Sequence, residues 1–139
     1  METITAMSAR SLQYYVIARH WLSDLDFYRI ETSFLYRLLD DYFTRLANRD
    51  HIERFGAVSA RLIVLETDEK ETRELLTRQL KKVELMAEDV IPESADELAV
   101  AQVKLEYLIT NLTAEYREVK KELFDLVESV MLPKKQLLA

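Results

Sequence analysis

The chain has 139 residues and a net charge of −6, which comes from 25 acidic and 19 basic residues. This length fits one domain, and the composition of 49% hydrophobic and 32% charged residues excludes both a disordered polar chain and an unbroken membrane span. The single glycine excludes glycine-rich nucleotide-binding loops, the lack of cysteine excludes thiolate zinc sites, and the acidic balance argues against binding to nucleic acid.

The first helix is predicted over residues 8–48, where apolar residues recur at helical spacing until the polar stretch LANRDHIE. Asn48 is expected to end this helix, and Asp50 with Glu53 has the spacing of an acidic capping box that would start the next one. Ser23, followed by Asp24, could also cap a new helix. A break near Ser23 would give a four-helix bundle, which is the alternative architecture.

The second and third helices are predicted over residues 50–91 and 95–131. Pro92 disfavours helical geometry at the residue before it, so the second helix should end there. Ser94 and Glu97 have the spacing of a capping box, which predicts the start of the third helix. The near absence of glycine and proline elsewhere leaves too few turn residues for a sheet.

These signals predict an all-α fold, an antiparallel up-down-up bundle of three long helices in one domain over residues 1–139. The tail at 133–139 should fray, because Pro133 disfavours further helix. The third helix shows the clearest apolar seam, at Leu98, Ala101, Leu105, Leu108, Leu112, Tyr116, Val119, Leu123, Leu126 and Val130. The seam of the second helix is interrupted by the polar run ETDEKETRE at 66–74.

A second set of apolar residues lies away from these seams and predicts a contact surface. In the up-down-up model the surplus of all three helices falls at the same end of the bundle, and large apolar surfaces usually mark interaction sites. The expected partner is a second copy in a homodimer, or another helical protein. Alternatively, the residues before Ser23 fold back and cover the patch. The predicted contact residues are Leu12, Tyr15, Val16, Leu22, Ile30, Leu85, Val100, Val103 and Tyr107.

A third pattern consists of polar residues at positions where the helical period predicts burial. They are His20, Asp24, Glu31 and Glu69, with Glu31 expected level with Glu69 near the middle of the bundle. Converging carboxylates of this kind could bind a divalent metal. Against this, no Glu-x-x-His pair is present, and Arg73 is placed to neutralise one of the acids. An ion-pair layer is therefore the competing interpretation.

No arrangement of catalytic residues is recognisable, because the serine hydroxyls are scattered and neither His20 nor His51 accompanies a nucleophile. The sequence thus predicts a non-catalytic protein-interaction or self-association module with no cofactor. A metal-binding bundle is the alternative function. We expect no nucleic-acid partner, no transmembrane segment and a cytoplasmic location.

Overall fold

The computed structural model describes residues 8–45 and 48–131 and confirms the all-α class. Helix α1 spans Ala9–Phe43, α2 spans Arg49–Ala87 and α3 spans Ala95–Met131. Over the described ranges there is no strand. None of these helices combines the length and the apolar character that crossing a membrane would require.

The three helices form the expected bundle. Tyr28 is hydrogen bonded to Thr113, and Tyr42 donates a hydrogen bond to Met131, so α1 and α3 run in the same direction. Helix α1 continues through Ser23 without a break, so the four-helix alternative is wrong. The neighbouring Asp24 is exposed and does not cap a new helix.

Helix α2 runs opposite to α3, because residues further along α2 meet earlier residues of α3. Arg61 contacts Glu118, whereas Gln79 donates a hydrogen bond to the carbonyl oxygen of Leu98. The order of helices is therefore up, down, up. The expected tail at 133–139 lies outside the described residues.

Each helix begins at a polar residue whose position in the sequence explains the start. Ser8 caps α1, since its hydroxyl accepts a hydrogen bond of 3.1 Å from the backbone N–H of Ser11. Asn48 caps α2 through a bond of 2.7 Å from the backbone N–H of Asp50 to its side-chain oxygen. The role predicted for Asn48, ending the first helix, is wrong, because α1 already ends at Phe43. The start predicted at Ser94 is confirmed by α3.

Helix α2 ends at Ala87, four residues before the predicted end, in a Schellman motif. Asp89 adopts the left-handed conformation, with a φ of 58°. The backbone N–H of Asp89 donates to Met86, and that of Val90 donates to Leu85, which satisfies two of the last carbonyls. Pro92 lies beyond this motif and does not itself end the helix.

The described residues divide between two compact units. The first is drawn from residues 1–27 and 69–111. Its core contains a cluster of Val83, Met86 and Leu98. Buried glutamine side chains also tie its helices together, because Gln102 donates a hydrogen bond to the backbone oxygen of Tyr14. The partly buried residues packed against the cluster are Leu12, Tyr14, Tyr15, Ala87 and Ile91.

The second unit is drawn from residues 28–68 and 112–139. The rings of Tyr28 and Tyr116 stack with centroids 4.7 Å apart and planes 14° from parallel. The hydroxyl of Tyr116 is hydrogen bonded to Thr32, and both residues are buried. Buried polar hydroxyls in this core therefore have partners. Its buried apolar residues include Leu35, Leu39, Phe55, Val58, Leu62, Leu65, Leu112, Val119, Leu123 and Leu126.

Candidate functional site

The outer face of α3 carries three of the predicted contact residues, and all three are strongly exposed. Val100, Val103 and Tyr107 expose 73%, 68% and 67% of their surface. Their spacing of three and four residues places them on one side of the helix, away from the buried Leu98, Leu105 and Ile109. We call Val100, Val103 and Tyr107 the α3 face. It lies within the first unit.

The predicted contact residues outside the α3 face differ in how much of their surface is exposed. Leu12 and Tyr15 are half-buried against the cluster of Val83, Met86 and Leu98, so their own chain already covers much of their surface. Leu22 and Leu85 are also half-buried. Val16 is exposed in the first unit. Ile30 is exposed too, but it belongs to the second unit.

The four residues proposed as metal ligands are divided between the two units, with Glu31 in the second and the others in the first. Among the residues that the structure describes, no three His, Cys, Asp or Glu side chains come close enough to hold a metal ion. His20 and Asp24 are exposed in the first unit, where Glu69 is buried. Glu31 belongs to the second unit and accepts a hydrogen bond of 2.8 Å from Lys120.

Buried Glu69 is instead part of an ion-pair network centred on Arg73. The Nε atom of Arg73 donates a hydrogen bond of 3.0 Å to Glu69 Oε1. The Nη2 atom of Arg73 lies 2.9 Å from the same oxygen, but its N–H is not aligned well enough to form a second hydrogen bond. On its other side, Arg73 Nη1 lies 2.9 Å from Asp26. This matches the ion-pair interpretation, with Asp26 in the place expected for Asp24. Burial alone would lower the pKa of Arg73, but the hydrogen bonds that its guanidinium donates to Asp26 and Glu69 outweigh burial and raise it.

A second ion-pair network links α2 and α3 in the second unit. Arg61 contacts three carboxylates of α3, those of Glu115, Glu118 and Glu122. Burial would lower the pKa of Arg61, but the hydrogen bond to Glu115 and the charges of all three glutamates raise it. All four side chains are at least one-third exposed, so the network lies at the surface. Each of its ion pairs therefore contributes little to the free energy of unfolding.

Sequence reasoning missed an apolar surface on the outer side of α2, in the second unit. Seven positions between residues 52 and 64 are exposed, and only Glu53 among them is charged. The other six form what we call the α2 face. They are Ile52, Gly56, Ala57, Ala60, Ile63 and Val64. By contrast, every exposed position of α2 between residues 66 and 78 is polar.

Gly56 is the one glycine of the chain, and no contact with residues in the described ranges accounts for it. A β-carbon built at Gly56 would meet no atom within 4 Å, and the residue does not have a positive φ. Glycine inside a helix costs about 1 kcal/mol relative to alanine. The signal in the sequence was a run, FGAVSARLIV, that is apolar on both sides of the helix.

The second unit also contains an apolar groove between α1 and α3, with a volume of about 380 Å³. Phe34 and Phe124 meet edge to face in its wall, with ring centroids 6.4 Å apart. Of the described residues that line it, Glu128 is the only charged one. The other lining residues are Leu38, Val127 and Met131.

Comparison with known proteins adds no functional information, because no family model, no curated protein and no solved structure matches the chain. The exposed apolar faces are therefore the features from which function has to be argued.

Proposed function

We propose that the protein is a non-catalytic interaction module that binds a helical protein through the α3 face. The supporting observation is the exposure of Val100, Val103 and Tyr107 along one side of a regular helix. Each square ångström of apolar surface removed from water contributes roughly 25 cal/mol of favourable free energy. Covering these three side chains with a partner therefore favours association. The cytoplasm is the proposed location.

The shape and chemistry of the α3 face suit a helix as the partner. Contacts spaced by three and four residues form a ridge that fits the groove of a second helix. Tyr107 is the residue expected to contribute most, since tyrosine is enriched among the dominant residues of interfaces. Lys104 and Glu106 are exposed beside the ridge and offer one charge of each sign for orienting the partner. Either another helical protein or a second copy of the chain has this chemistry.

The experiment compares the wild-type protein with the triple variant V100S/V103S/Y107S. All three positions are exposed, so the triple variant should keep the helical circular dichroism and the unfolding midpoint of the wild type to within a few degrees. Each protein is immobilised and used to capture partners from the cell in which it is produced naturally. The mass of each purified protein is measured by sedimentation velocity.

We expect the wild type to capture a helical protein that the triple variant does not capture. When the isolated partner is titrated against each protein, the triple variant should bind it at least tenfold more weakly than the wild type. A loss of self-association in the triple variant would identify a second copy as that partner. The matched control is T67S/T77S/T110S, which changes three exposed polar positions instead. Equal capture and equal mass for wild type and V100S/V103S/Y107S would overturn the proposal.

A further inference from the structure

The apolar groove between α1 and α3, which we call the α1–α3 groove, keeps large side chains in contact with water. Phe34, Phe124 and Met131 line it and expose 45%, 43% and 54% of their surface. The groove extends to Met131, which is the last residue of α3. Removing apolar surface from water is favourable, so a segment with apolar side chains would be stabilised by lying in this groove.

The eight residues that follow Met131 have the chemistry of such a segment. Residues 132–139, which we call the tail segment, read LPKKQLLA and lie outside the described residues. Pro133 disfavours a continuation of α3, so the chain can change direction at the end of the groove. Leu137 and Leu138 follow two lysines, which gives the tail segment a basic part and an apolar part.

The tail segment is long enough to turn back and reach the aromatic end of the groove. Phe124 lies seven residues before the end of α3, which corresponds to about 10 Å along a helix. If residues 132–134 form the turn, residues 135–138 span about 13 Å in an extended conformation. Leu138 can therefore come level with the contact between Phe34 and Phe124.

The charges along the groove complement those of a tail segment that turns back. Glu128 lines the groove three residues before the end of α3. On α1, Asp41 is exposed three residues after Leu38, which places both on the same side of that helix. Lys134 and Lys135 would meet these two carboxylates, because they come first after the turn.

The bases near the groove favour the same direction. Arg45 lies on α1 beyond the end of the groove, with its guanidinium 4.8 Å from the ring centre of Tyr42. A tail segment that continued straight on from α3 would carry its lysines toward Arg45, whereas turning back carries them toward Glu128. Arg37 and Lys121 are exposed within three residues of the two phenylalanines, where the tail segment places leucines instead of lysines.

We infer that residues 133–138 fold back along the α1–α3 groove, with the two leucines covering its apolar wall and the two lysines facing Glu128 and Asp41. Because the tail segment is attached to α3, its effective concentration at the groove is in the millimolar range. Contacts too weak to hold a free peptide are therefore sufficient to hold the tail segment. The inference does not depend on the α3 face, which lies in the first unit.

The test is methyl NMR of the full chain, because Leu38 and Val127 present methyl groups to the groove from two different helices. The double variant L137S/L138S removes the apolar part of the tail segment and should shift the signals of both residues. The matched control is Q136S, which changes the same segment but keeps both leucines and both lysines. Its groove signals should stay at the wild-type positions.

Charge reversal tests the direction in which the tail segment lies. The position of each signal between those of wild type and L137S/L138S gives the equilibrium constant for docking, which K134E/K135E should lower about two- to tenfold. Adding D41K/E128K reverses the two carboxylates as well and should restore the constant. The free peptide LPKKQLLA, added to L137S/L138S at about millimolar concentration, should move the groove signals back toward wild type.

Identical groove signals in wild type and L137S/L138S would overturn the inference, and so would equal shifts in L137S/L138S and Q136S. Wild-type signals that move toward those of L137S/L138S on dilution would show that the groove takes the tail segment of a second copy instead. If K134E/K135E leaves the constant unchanged, or if D41K/E128K fails to restore it, the tail segment does not lie in the inferred direction.

Discussion

Replacing Glu69 by methionine tests whether the buried carboxylate serves an ion pair. The side chain of Glu69 is almost fully buried and accepts a hydrogen bond from Arg73, which is itself mostly buried. Removing one partner of a buried pair costs about 3–5 kcal/mol, because the other charge is left uncompensated. Here Arg73 retains Asp26 as a partner, so we expect Glu69→Met to lower the free energy of unfolding by about 2–3 kcal/mol.

The same helix provides a matched control. Glu74 and Arg78 are also an acid and a base four residues apart, but both side chains are about 70% exposed and 3.9 Å apart. Glu74→Met should therefore change the free energy of unfolding by less than about 0.5 kcal/mol. The double variant E69M/R73M removes both buried charges and should recover most of the loss, to within about 1 kcal/mol of wild type.

The assay is urea unfolding followed by helical circular dichroism, at protein concentrations below 5 µM so that self-association does not contribute. Equal effects of Glu69→Met and Glu74→Met would refute the reasoning, as would a double variant less stable than Glu69→Met alone. The measurement is repeated with and without a chelator. A chelator that lowers wild-type stability to the level of Glu69→Met would support a metal role for this carboxylate instead.

Three further changes follow from local geometry. Asp89→Gly should raise the free energy of unfolding by about 0.5–1 kcal/mol, because glycine has no steric cost at a φ of 58°, and Asp89→Ala serves as the opposite control in the same urea titration. The backbone N–H of Ser8 lowers the pKa of Glu93, so this stabilisation is present at neutral pH and lost as the pH falls through the folded value. Glu93→Gln should flatten the acid side of a plot of melting temperature against pH. Burial, followed by the charge of Glu66, raises the pKa of Tyr36. The contribution of the Tyr36 hydroxyl is therefore present below pH 10 and lost as the pH rises through the folded pKa, so Tyr36→Phe should flatten the alkaline side.

The number of helices could be predicted because the chain marks its turns with strong local signals. Helix α3 begins directly after Ser94, as the spacing of Ser94 to Glu97 indicated, and one short polar stretch separates α1 from α2. The exact ends were harder to predict. Asp89 adopts a left-handed conformation at the end of α2. Aspartate tolerates this conformation, but only a glycine at that position would have predicted it from the sequence.

The buried side of α1 is difficult to recognise from the sequence, because small and polar residues occupy part of it. Ser11, Ala18 and Thr32 are buried, and their side chains weaken an apolar period. Leu25 is fully buried between them. A helical period measures only the polarity of side chains, so it misses core positions where a small residue lets another helix pack closely.

The partners of the polar residues depend on the reach of long side chains from other helices. Glu31 was expected beside Glu69, but each acid instead pairs with a base, Lys120 for Glu31 and Arg73 for Glu69. Counting residues from the turns fixes the level of a backbone position only approximately. The side chain of a lysine or arginine is longer than the error in that level, so a base on a neighbouring turn can still reach the acid. Each buried or half-buried acid therefore pairs with the base that can neutralise it.

The α2 face could not be found by periodicity, because the run from residue 52 to residue 64 is apolar on both sides of the helix. The buried seam of this part of α2 contains Phe55, Val58 and Leu62, which follow the helical period. The other apolar residues of the run do not follow that period, so the pattern alone gives them no position on the helix. What distinguishes them is their structural context. Gly56 lies among exposed apolar neighbours, unlike the polar outer side of residues 66–78. Residues on both sides of this part of α2 satisfy an apolar pattern, so exposure in the folded chain, and not the helical period, separates the α2 face from the buried seam.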